Sequence, residues 1–205
     1  MTTKIDYKKA LKTLYNPPTK PFTVVDVPPM QFLTIDGSGN PNTAAAYTQA
    51  VEALYGLAYA LKFAVRKQTD VDYGVMPLEG LWWADDMDDF LTRKKDSWIW
   101  TMMIMQPEHV TAELVETQRA DVAKKKDLPA LDRVRFETFA EGQALQVMHI
   151  GSYDDETPTL AAMHAQIEAQ GNLRSGKHHE IYLGDPRRTA PENLKTVLRQ
   201  PFTAK

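Results

Sequence analysis

The sequence contains no cysteine, and this absence excludes several classes of protein at once. Its 205 residues offer no thiol nucleophile, no thiolate ligand for a metal and no disulfide framework. A chain without disulfides fits the reducing cytosol. We therefore expect a cytoplasmic protein, long enough to bury a substantial apolar core.

Long apolar runs and an excess of basic residues are also missing. The most apolar stretch, residues 51–65, is interrupted by Glu52 and Lys62 and is too short to cross a bilayer. The first residues, Met1–Lys9, lack the apolar segment of a signal peptide. A net charge of −3 provides no large cationic surface. We expect neither nucleic acid nor a membrane as partner.

The common catalytic motifs do not occur. The sequence contains no glycine-rich phosphate loop and no dinucleotide fingerprint, and no serine lies in a nucleophile elbow. The histidines lack metal-binding spacing, and the adjacent pair His178 and His179 would diverge on a strand. The run Asp85–Asp89 lacks the glycine and glutamate of a calcium loop, and with Arg93–Lys95 it indicates a solvated turn. We expect no metal and no cofactor.

What the sequence does contain is one layout repeated in its two halves. Phe22–Asp36 runs into Gly37-Ser38, and Val134–Ile150 runs into Gly151-Ser152. Each Gly-Ser pair precedes an amphipathic helix and then a strand that carries a glutamate. A duplicated unit of this kind cannot bury its apolar face alone, so the copies should pack together. Their meeting place is the natural site for a ligand.

Hydrophobic periodicity and turn residues predict an α+β fold with an antiparallel sheet, helices on one side and pseudo-twofold symmetry. We expect a single domain over 1–205, with a first copy over about 20–106, a linking helix over about 107–126 and a second copy over about 131–205. In the first half we expect a helix over 5–15, a hairpin of strands 22–27 and 30–36 turned by Pro28-Pro29, a helix capped by Asn42 or Thr43 that runs to about Lys67, and strands over 72–84 and 98–106. In the second half we expect a hairpin that ends at Gly151, a helix with Pro158 in its first turn and Gly171 as its stop, and strands over 178–183 and 196–202.

Glu180 is the strongest candidate for chemistry. Strand alternation places Glu180 and Tyr182 on one face, with His179 and Ile181 on the other. In an apolar cavity the Glu180 carboxylate would be desolvated, so it could pair with a cation or act as an acid or base. On a solvent-facing strand it would be an ordinary surface residue, and the spacing alone leaves both interpretations open.

The first half carries an aromatic counterpart. Glu79 and Trp83 share a strand face, which favours Trp83 over Trp82 as a pocket residue, and Tyr73 precedes them. Aromatic walls suit planar or cationic molecules, although the same residues also fill cores. Met103, from a methionine-rich run, fits either an adaptable pocket or a plain core.

Two segments carry a resemblance to a known family. His178–Pro201, together with Pro77–Trp83, resembles the GyrI-like small-molecule-binding domains, which are related to the effector-binding domains of multidrug-responsive regulators. The resemblance extends over nearly the whole chain. It implies a duplicated β-α-β-β module of the SHS2 type, with a ligand cleft on the pseudo-twofold axis between the copies. In such domains a buried carboxylate of the second copy meets cationic aromatic drugs, and Glu180 is the matching position.

The resemblance implies three functions. The first is sequestration of small aromatic xenobiotics, cationic ones among them. The second is hydrolysis, because some stand-alone relatives are similar to cyclopropanoid cyclopropyl hydrolases. There Glu180 and Tyr182 would be catalytic, in an aromatic cage to which Trp83, Tyr73 and Tyr153 are assigned by their expected proximity to the cleft. The third is inhibition or shielding of a protein target such as DNA gyrase. A monomer and a homodimer both remain open, because one chain already holds both copies.

Overall fold

A large antiparallel sheet organises the chain, which the computed structural model describes over residues 2–85 and 94–205. The expected turn from Asp85 to Lys95 lies largely outside the described residues. The strands are β1 (Thr3–Ile5), β2 (Thr23–Val27), β3 (Met30–Ser38), β4 (Val71–Tyr73), β5 (Leu78–Trp83), β6 (Ile99–Gln106), β7 (Arg135–Phe139), β8 (Gly142–Ile150), β9 (Asn172–Arg174), β10 (His178–Tyr182) and β11 (Lys195–Ala204). The α-helices are α1 (Tyr7–Ala10), α2 (Lys12–Tyr15), α3 (Ala45–Thr69), α4 (Ala112–Ala123) and α5 (Thr157–Ala169).

The order of strands across the sheet is β2-β8-β11-β10-β5-β6-β3-β7, and β9 pairs with β11. Each of these strands in the first half has a counterpart in the second half: β2 corresponds to β7, β3 to β8, β5 to β10 and β6 to β11. When every strand is replaced with its counterpart, the order is the same as the original order read from the other end. The antiparallel pair β5–β10 lies at the centre and joins the two halves of the chain. Separately, β1 and β4 form a short parallel pair.

The two predicted hairpins are wrong. β2 pairs with β8 and β3 pairs with β7, so each half contributes its first strand to the sheet of the other half. A tight hairpin requires positive φ angles in its turn, whereas a proline ring fixes φ near −65°, so Pro28-Pro29 cannot form one. The exchange of strands ties the two halves together.

Two helices cover one face of the sheet. α3 packs on β3 and β6, and α5 packs on β8 and β11. The buried stripe of α3 follows helical spacing: Ala50, Ala53, Leu54, Leu57, Ala58, Leu61 and Val65. α3 and α5 each lie over strands to one side of the central pair β5–β10. This central pair therefore lies between the two helices.

The ends of the helices confirm some predictions and correct others. α5 has Pro158 in its first turn, and Gly171 follows its end with a φ of 76°. The predicted cap of α3 is wrong, because its N-cap is Ala44, which makes no side-chain hydrogen bond. The predicted helix over 5–15 is divided into α1 and α2, and the predicted strand over 72–84 is divided into β4 and β5. No helix within the described ranges is long and apolar enough to span a bilayer.

Gly37 provides a test of the core. It lies opposite Trp100, and a Cβ added to it would come within 2.1 Å of the fully buried Trp100 ring. We expect Gly37→Ala to lower the free energy of unfolding by about 1–3 kcal/mol, the usual cost of overpacking. Chemical denaturation measures this. Gly74→Ala is the control, because nothing lies within 4 Å of its added Cβ. Equal stability of the two variants would contradict the packing.

Candidate ligand-binding site

The register between β5 and β10 decides which side chains meet at the centre of the sheet. Glu180 lies opposite Gly80, and His178 lies opposite Trp82. Residues directly opposite each other project from the same face. Trp82 also contacts Tyr47 of α3, so this is the face that the helices cover. Glu180 therefore projects into the space between α3 and α5.

A chain of hydrogen bonds orients the Glu180 carboxylate. Trp82 Nε1 donates to Tyr182 Oη at 2.8 Å, and Tyr182 Oη donates to Glu180 Oε2 at 2.7 Å. The other carboxylate oxygen, Oε1, lies 3.3 Å from His178 Nε2. The Glu180 side chain is 14% exposed, so the carboxylate is held in place yet remains reachable from solvent.

Gly80 makes room for this chain of hydrogen bonds. A Cβ at this position would lie 2.5 Å from Trp82 Nε1 and 3.1 Å from Tyr182 Oη. Any larger residue would push the indole and the phenol apart. The glycine of the Leu78–Trp83 strand is therefore part of the site.

Aromatic side chains surround Glu180 on the helix-covered face. The ring of Tyr47 lies 6.1 Å from that of Trp82, the ring of Trp98 lies 5.5 Å from that of Trp82, and Tyr153 meets Tyr182 edge-on at 5.6 Å. We call Tyr47, Trp82, Trp98, Tyr153 and Tyr182 the aromatic cluster. Its members come from α3, from β5 and β10 and from the segments beside β6 and α5, so both halves of the chain contribute.

The hydroxyls of the aromatic cluster stay protonated. Burial raises the pKa of Tyr182 well above its ordinary value, and the nearby charge of Glu180 raises it further. Burial and then Glu180 also raise the pKa of Tyr47. The pKa of Tyr153 rises to about 12 through burial and the charges of Glu156 and Glu180. The neutral phenols can donate hydrogen bonds, and the carboxylates beside them give the site its acidic character.

Of the residues expected from the sequence, the structure brings Tyr182 and Tyr153 to Glu180. Glu79 and Trp83 project from the opposite face of the sheet, because Glu79 lies opposite Ile181. Tyr73 lies on β4, outside the large sheet, with its ring 6.0 Å from that of Tyr7. Trp82 is thus the tryptophan beside Glu180, and the preference for Trp83 is corrected.

Met103 belongs with the residues that lie away from Glu180. It is fully buried on β6 and lies opposite Glu79. Its place is the core on the far side of the sheet.

Sequence reasoning missed Trp82, Tyr47 and His178 as neighbours of Glu180. His178 and Glu180 are two positions apart on one strand, so strand alternation already placed their side chains on the same face. Tyr47 begins the apolar stripe of α3, which indicated packing against the sheet. Nothing local indicated Trp82, because its position depends on the register between two distant strands.

On the opposite face, Glu79 belongs to a buried ion network. Tyr15 Oη donates to Glu79 Oε1 at 2.7 Å, and His179 Nε2 donates to Glu79 Oε2 at 3.0 Å. His179 Nδ1 contacts Glu141 Oε1 at 3.0 Å, and Arg199 Nη1 donates to Glu141 Oε2 at 3.0 Å. These five residues are the buried ion network, and all are almost completely buried.

Within the buried ion network, His179 and Glu141 are charged at neutral pH. Burial alone would lower the pKa of His179, but the charge of Glu141 and hydrogen bonds to Glu141 and Glu79 raise it to about 9. Burial alone would raise the pKa of Glu141, but His179 and Arg199 lower it to about 2. Arg199 Nη2 also donates to the carbonyl of Leu14 at 2.8 Å, which fastens the N-terminal segment to the sheet.

Within residues 2–85 and 94–205, no three His, Asp or Glu side chains are arranged to hold a metal ion. The candidate site thus consists of Glu180, its hydrogen-bond partners and the aromatic cluster.

Comparison with known proteins identifies the family. Residues 20–202 match the profile of the GyrI-like small molecule binding domain. The chain belongs to the GyrI-like family. A search of curated proteins returns no match.

Solved structures similar to this GyrI-like chain include two from Listeria innocua. An uncharacterized conserved protein is 40% identical, with a TM-score of 0.88, over 97% of this chain and 100% of that one. A protein described as a hydrolase is 39% identical, with a TM-score of 0.85, over 97% and 100%. The C-terminal domain of EcmrR is 11% identical, with a TM-score of 0.57, over 90% and 98%, and it shares the fold alone.

The buried ion network predicts how stability depends on pH. The pKa of His179 is raised on folding, so its contribution is complete below its unfolded pKa of about 6.5 and is lost as pH rises through about 9. The pKa of Glu141 is lowered, so its contribution is complete above 4.5 and is lost as pH falls towards about 2.

We expect His179→Gln to lower the free energy of unfolding at neutral pH by about 3–5 kcal/mol, because the buried Glu79 carboxylate loses its cationic partner, whereas Glu141 keeps Arg199. The difference in free energy of unfolding between the variant and wild type should shrink as pH rises through about 9, because wild-type His179 then loses its charge. Urea denaturation over a pH series measures both effects. Lys124→Gln, which removes an exposed pair with Asp121, is the control and should change stability by less than about 1 kcal/mol. A constant difference at all pH values would contradict the assignment.

Proposed function

We propose that this chain binds small aromatic cations and protects the cell by sequestering them. The observation that carries the proposal is the Glu180 carboxylate. It accepts a hydrogen bond from Tyr182, lies 3.3 Å from His178 Nε2 and is partly withdrawn from water within the aromatic cluster. A partly desolvated carboxylate attracts a cation more strongly than one in water, because the local dielectric constant is lower. The ligand replaces the water that the carboxylate has lost.

The aromatic cluster supplies the second half of recognition. Faces of Trp and Tyr attract a cation through their quadrupoles and stack on planar rings. Because the phenols are neutral donors and the carboxylate is an acceptor, the site favours a ligand that is flat, apolar and positively charged. Rings rather than directional hydrogen bonds make up most of the wall, which suits a broad range of such ligands.

We infer further that the two halves are copies of one SHS2-type β-α-β-β module in a single domain, with the ligand cleft on the axis between them. The strand order that reads alike from both ends supports this, as does the location of β5 and β10 between α3 and α5. A site on the axis draws residues from both copies, as the aromatic cluster does.

Glu180→Gln tests the charge recognition. We expect the Kd for N-methylacridinium to rise about tenfold or more, because the buried counter-charge is gone. The Kd for acridine, at a pH where acridine is uncharged, should change less than about threefold. Quenching of tryptophan fluorescence follows both titrations. An equal loss for both ligands would contradict the role of Glu180 as counter-charge.

The two adjacent tryptophans provide a matched control. Trp82→Phe should weaken binding of both ligands, because it removes ring area and the indole donor to Tyr182. Trp83→Phe changes the opposite face and should leave both Kd values unchanged. A larger effect from Trp83→Phe would place the ligand on the wrong side of the sheet for this proposal.

Hydrolysis of strained electrophiles is the second candidate. It is favoured by the relative described as a hydrolase, which is 39% identical over its full length. Glu180, Tyr182 and the aromatic cluster would serve both functions, because binding orients the ligand and the carboxylate can act on water.

For a spirocyclopropyl drug conjugated to a ketone, the proposed reaction is an addition of water. The water oxygen bonds to the cyclopropane methylene and the ring C–C bond breaks. The electron pair of that bond moves towards the ketone, which becomes a phenol by taking up a proton. Glu180 accepts the proton that the water loses, and no cofactor or oxidant is needed.

Mass spectrometry of such a drug incubated with the protein tests this second candidate. We expect catalytic gain of one water, slowed about 10²–10⁴-fold in Glu180→Gln, the usual effect of a positioned acid–base group. Turnover by Glu180→Gln at the wild-type rate would remove Glu180 from the reaction. Unchanged drug mass together with quenched tryptophan fluorescence would mean that the protein binds the drug without hydrolysing it.

A further inference from the structure

A histidine lies beside the Glu180 carboxylate. His178 Nε2 is 3.3 Å from Glu180 Oε1, so a protonated imidazole forms an ion pair with the carboxylate. The His178 side chain is 2% exposed, against 14% for that of Glu180. On the neighbouring strand β5, the residue opposite His178 is Trp82, which carries no charge. The carboxylate can therefore be reached by a ligand, whereas the imidazole is enclosed by the protein.

This arrangement bears on how the protein accommodates Glu180 when no ligand is bound. A carboxylate that is largely withdrawn from water is costly unless a positive charge lies beside it. Histidine can supply that charge and can also give it up, because it is the side chain that ordinarily changes charge between about pH 5 and 8. His178 thus offers Glu180 a counter-charge that depends on pH.

The titratable and charged groups around His178 lie on several elements. Glu180 is on the same strand, β10. On α5, burial and the charges of Arg174 and His178 lower the pKa of His164 to about 4, so His164 stays neutral. Arg174 of β9 donates to His164 Nδ1 at 3.2 Å. On α3, burial and Glu180 raise the pKa of Tyr47, so its phenol is neutral as well. Among these groups Glu180 favours a charged His178, and Arg174 opposes it.

We propose that His178 is a specificity-determining residue of this site: its imidazolium neutralises Glu180 in the ligand-free protein, and a bound cation takes the place of its proton. This inference rests on the proposed function, because it requires Glu180 to meet the positive charge of the ligand. A ligand with a permanent positive charge then displaces one proton from His178 to solvent. Neutral His178 is the form that admits a cation.

The exchange fixes the direction of the pH dependence. At acid pH the imidazolium and the carboxylate cancel, and a cationic ligand meets a like charge beside Glu180. As pH rises, His178 loses its proton, the charge of Glu180 becomes available and the Kd for the cation falls. Once His178 is neutral, the Kd is constant. The coupling is reciprocal, so the ligand opposes the proton as strongly as the proton opposes the ligand.

A pH series of titrations with N-methylacridinium tests the proposal, because the charge of this ligand does not change with pH. The wild-type Kd should be about tenfold or more higher at about pH 5.5 than at about pH 8.5. His178→Gln should bind with a nearly constant Kd that is lower than the wild-type Kd at the acid end, because no imidazolium competes with the ligand. A gain in affinity cannot result from a damaged fold.

Two controls accompany the series. His109→Gln should keep the wild-type profile, because His109 contacts Tyr7 and not Glu180. The neutral three-ring compound 9-anthracenemethanol should bind wild type and His178→Gln with a Kd that does not vary with pH. Calorimetry in buffers of different ionisation enthalpy counts the protons. At acid pH, N-methylacridinium should release about one proton from wild type and none from His178→Gln.

The outcomes separate this inference from the function on which it rests. A flat wild-type profile, a pH dependence that persists in His178→Gln, or a variant that binds more weakly than wild type at acid pH would each overturn the role of His178. The proposed function fails in a different way: Glu180→Gln would leave the Kd for N-methylacridinium unchanged at every pH. That result would overturn both the charge recognition and the exchange.

Discussion

The antiparallel pairing of β5 with β10 is the constraint on which the site depends. Because side chains alternate along a strand, a shift of this register by one residue would turn the opposite set of β5 side chains towards Glu180. The observed register sets Gly80 opposite Glu180, and Gly80 leaves room for Trp82 to donate to Tyr182. Strand exchange adds two further connections between the halves, one at each edge of the sheet.

The two faces of the central strands have different physical characters. On one face, the buried ion network satisfies every charge with a partner inside the protein, so its role is structural. On the other face, Glu180 keeps some exposure to solvent and is surrounded by aromatic rings. Adjacent residues, His179 and Glu180, thus serve opposite purposes. The first face stabilises the fold at neutral pH, and the second is the face to which we assign the proposed ligand.

Local sequence patterns predicted most of the strands, the long helix, the α+β class and the shared strand face of Glu180 and Tyr182, because alternation and helical periodicity are local properties. They could not predict strand partners: both expected hairpins were wrong, since pairing between β2 and β8 spans more than half the chain. The same limit explains the preference for Trp83, because alternation shows that two neighbouring residues diverge but not which of them faces Glu180. The family resemblance supplied the position of Glu180 within the domain but not the register around it.

A crystal structure of the complex with N-methylacridinium would show whether Glu180 and the aromatic cluster bind the ligand, as we propose. We expect the planar ring to be stacked against Trp82 and the tyrosines between α3 and α5, with its cationic nitrogen directed at the Glu180 carboxylate. A ligand bound on the face of Trp83 and Glu79, with the Glu180 site unchanged, would contradict this proposal.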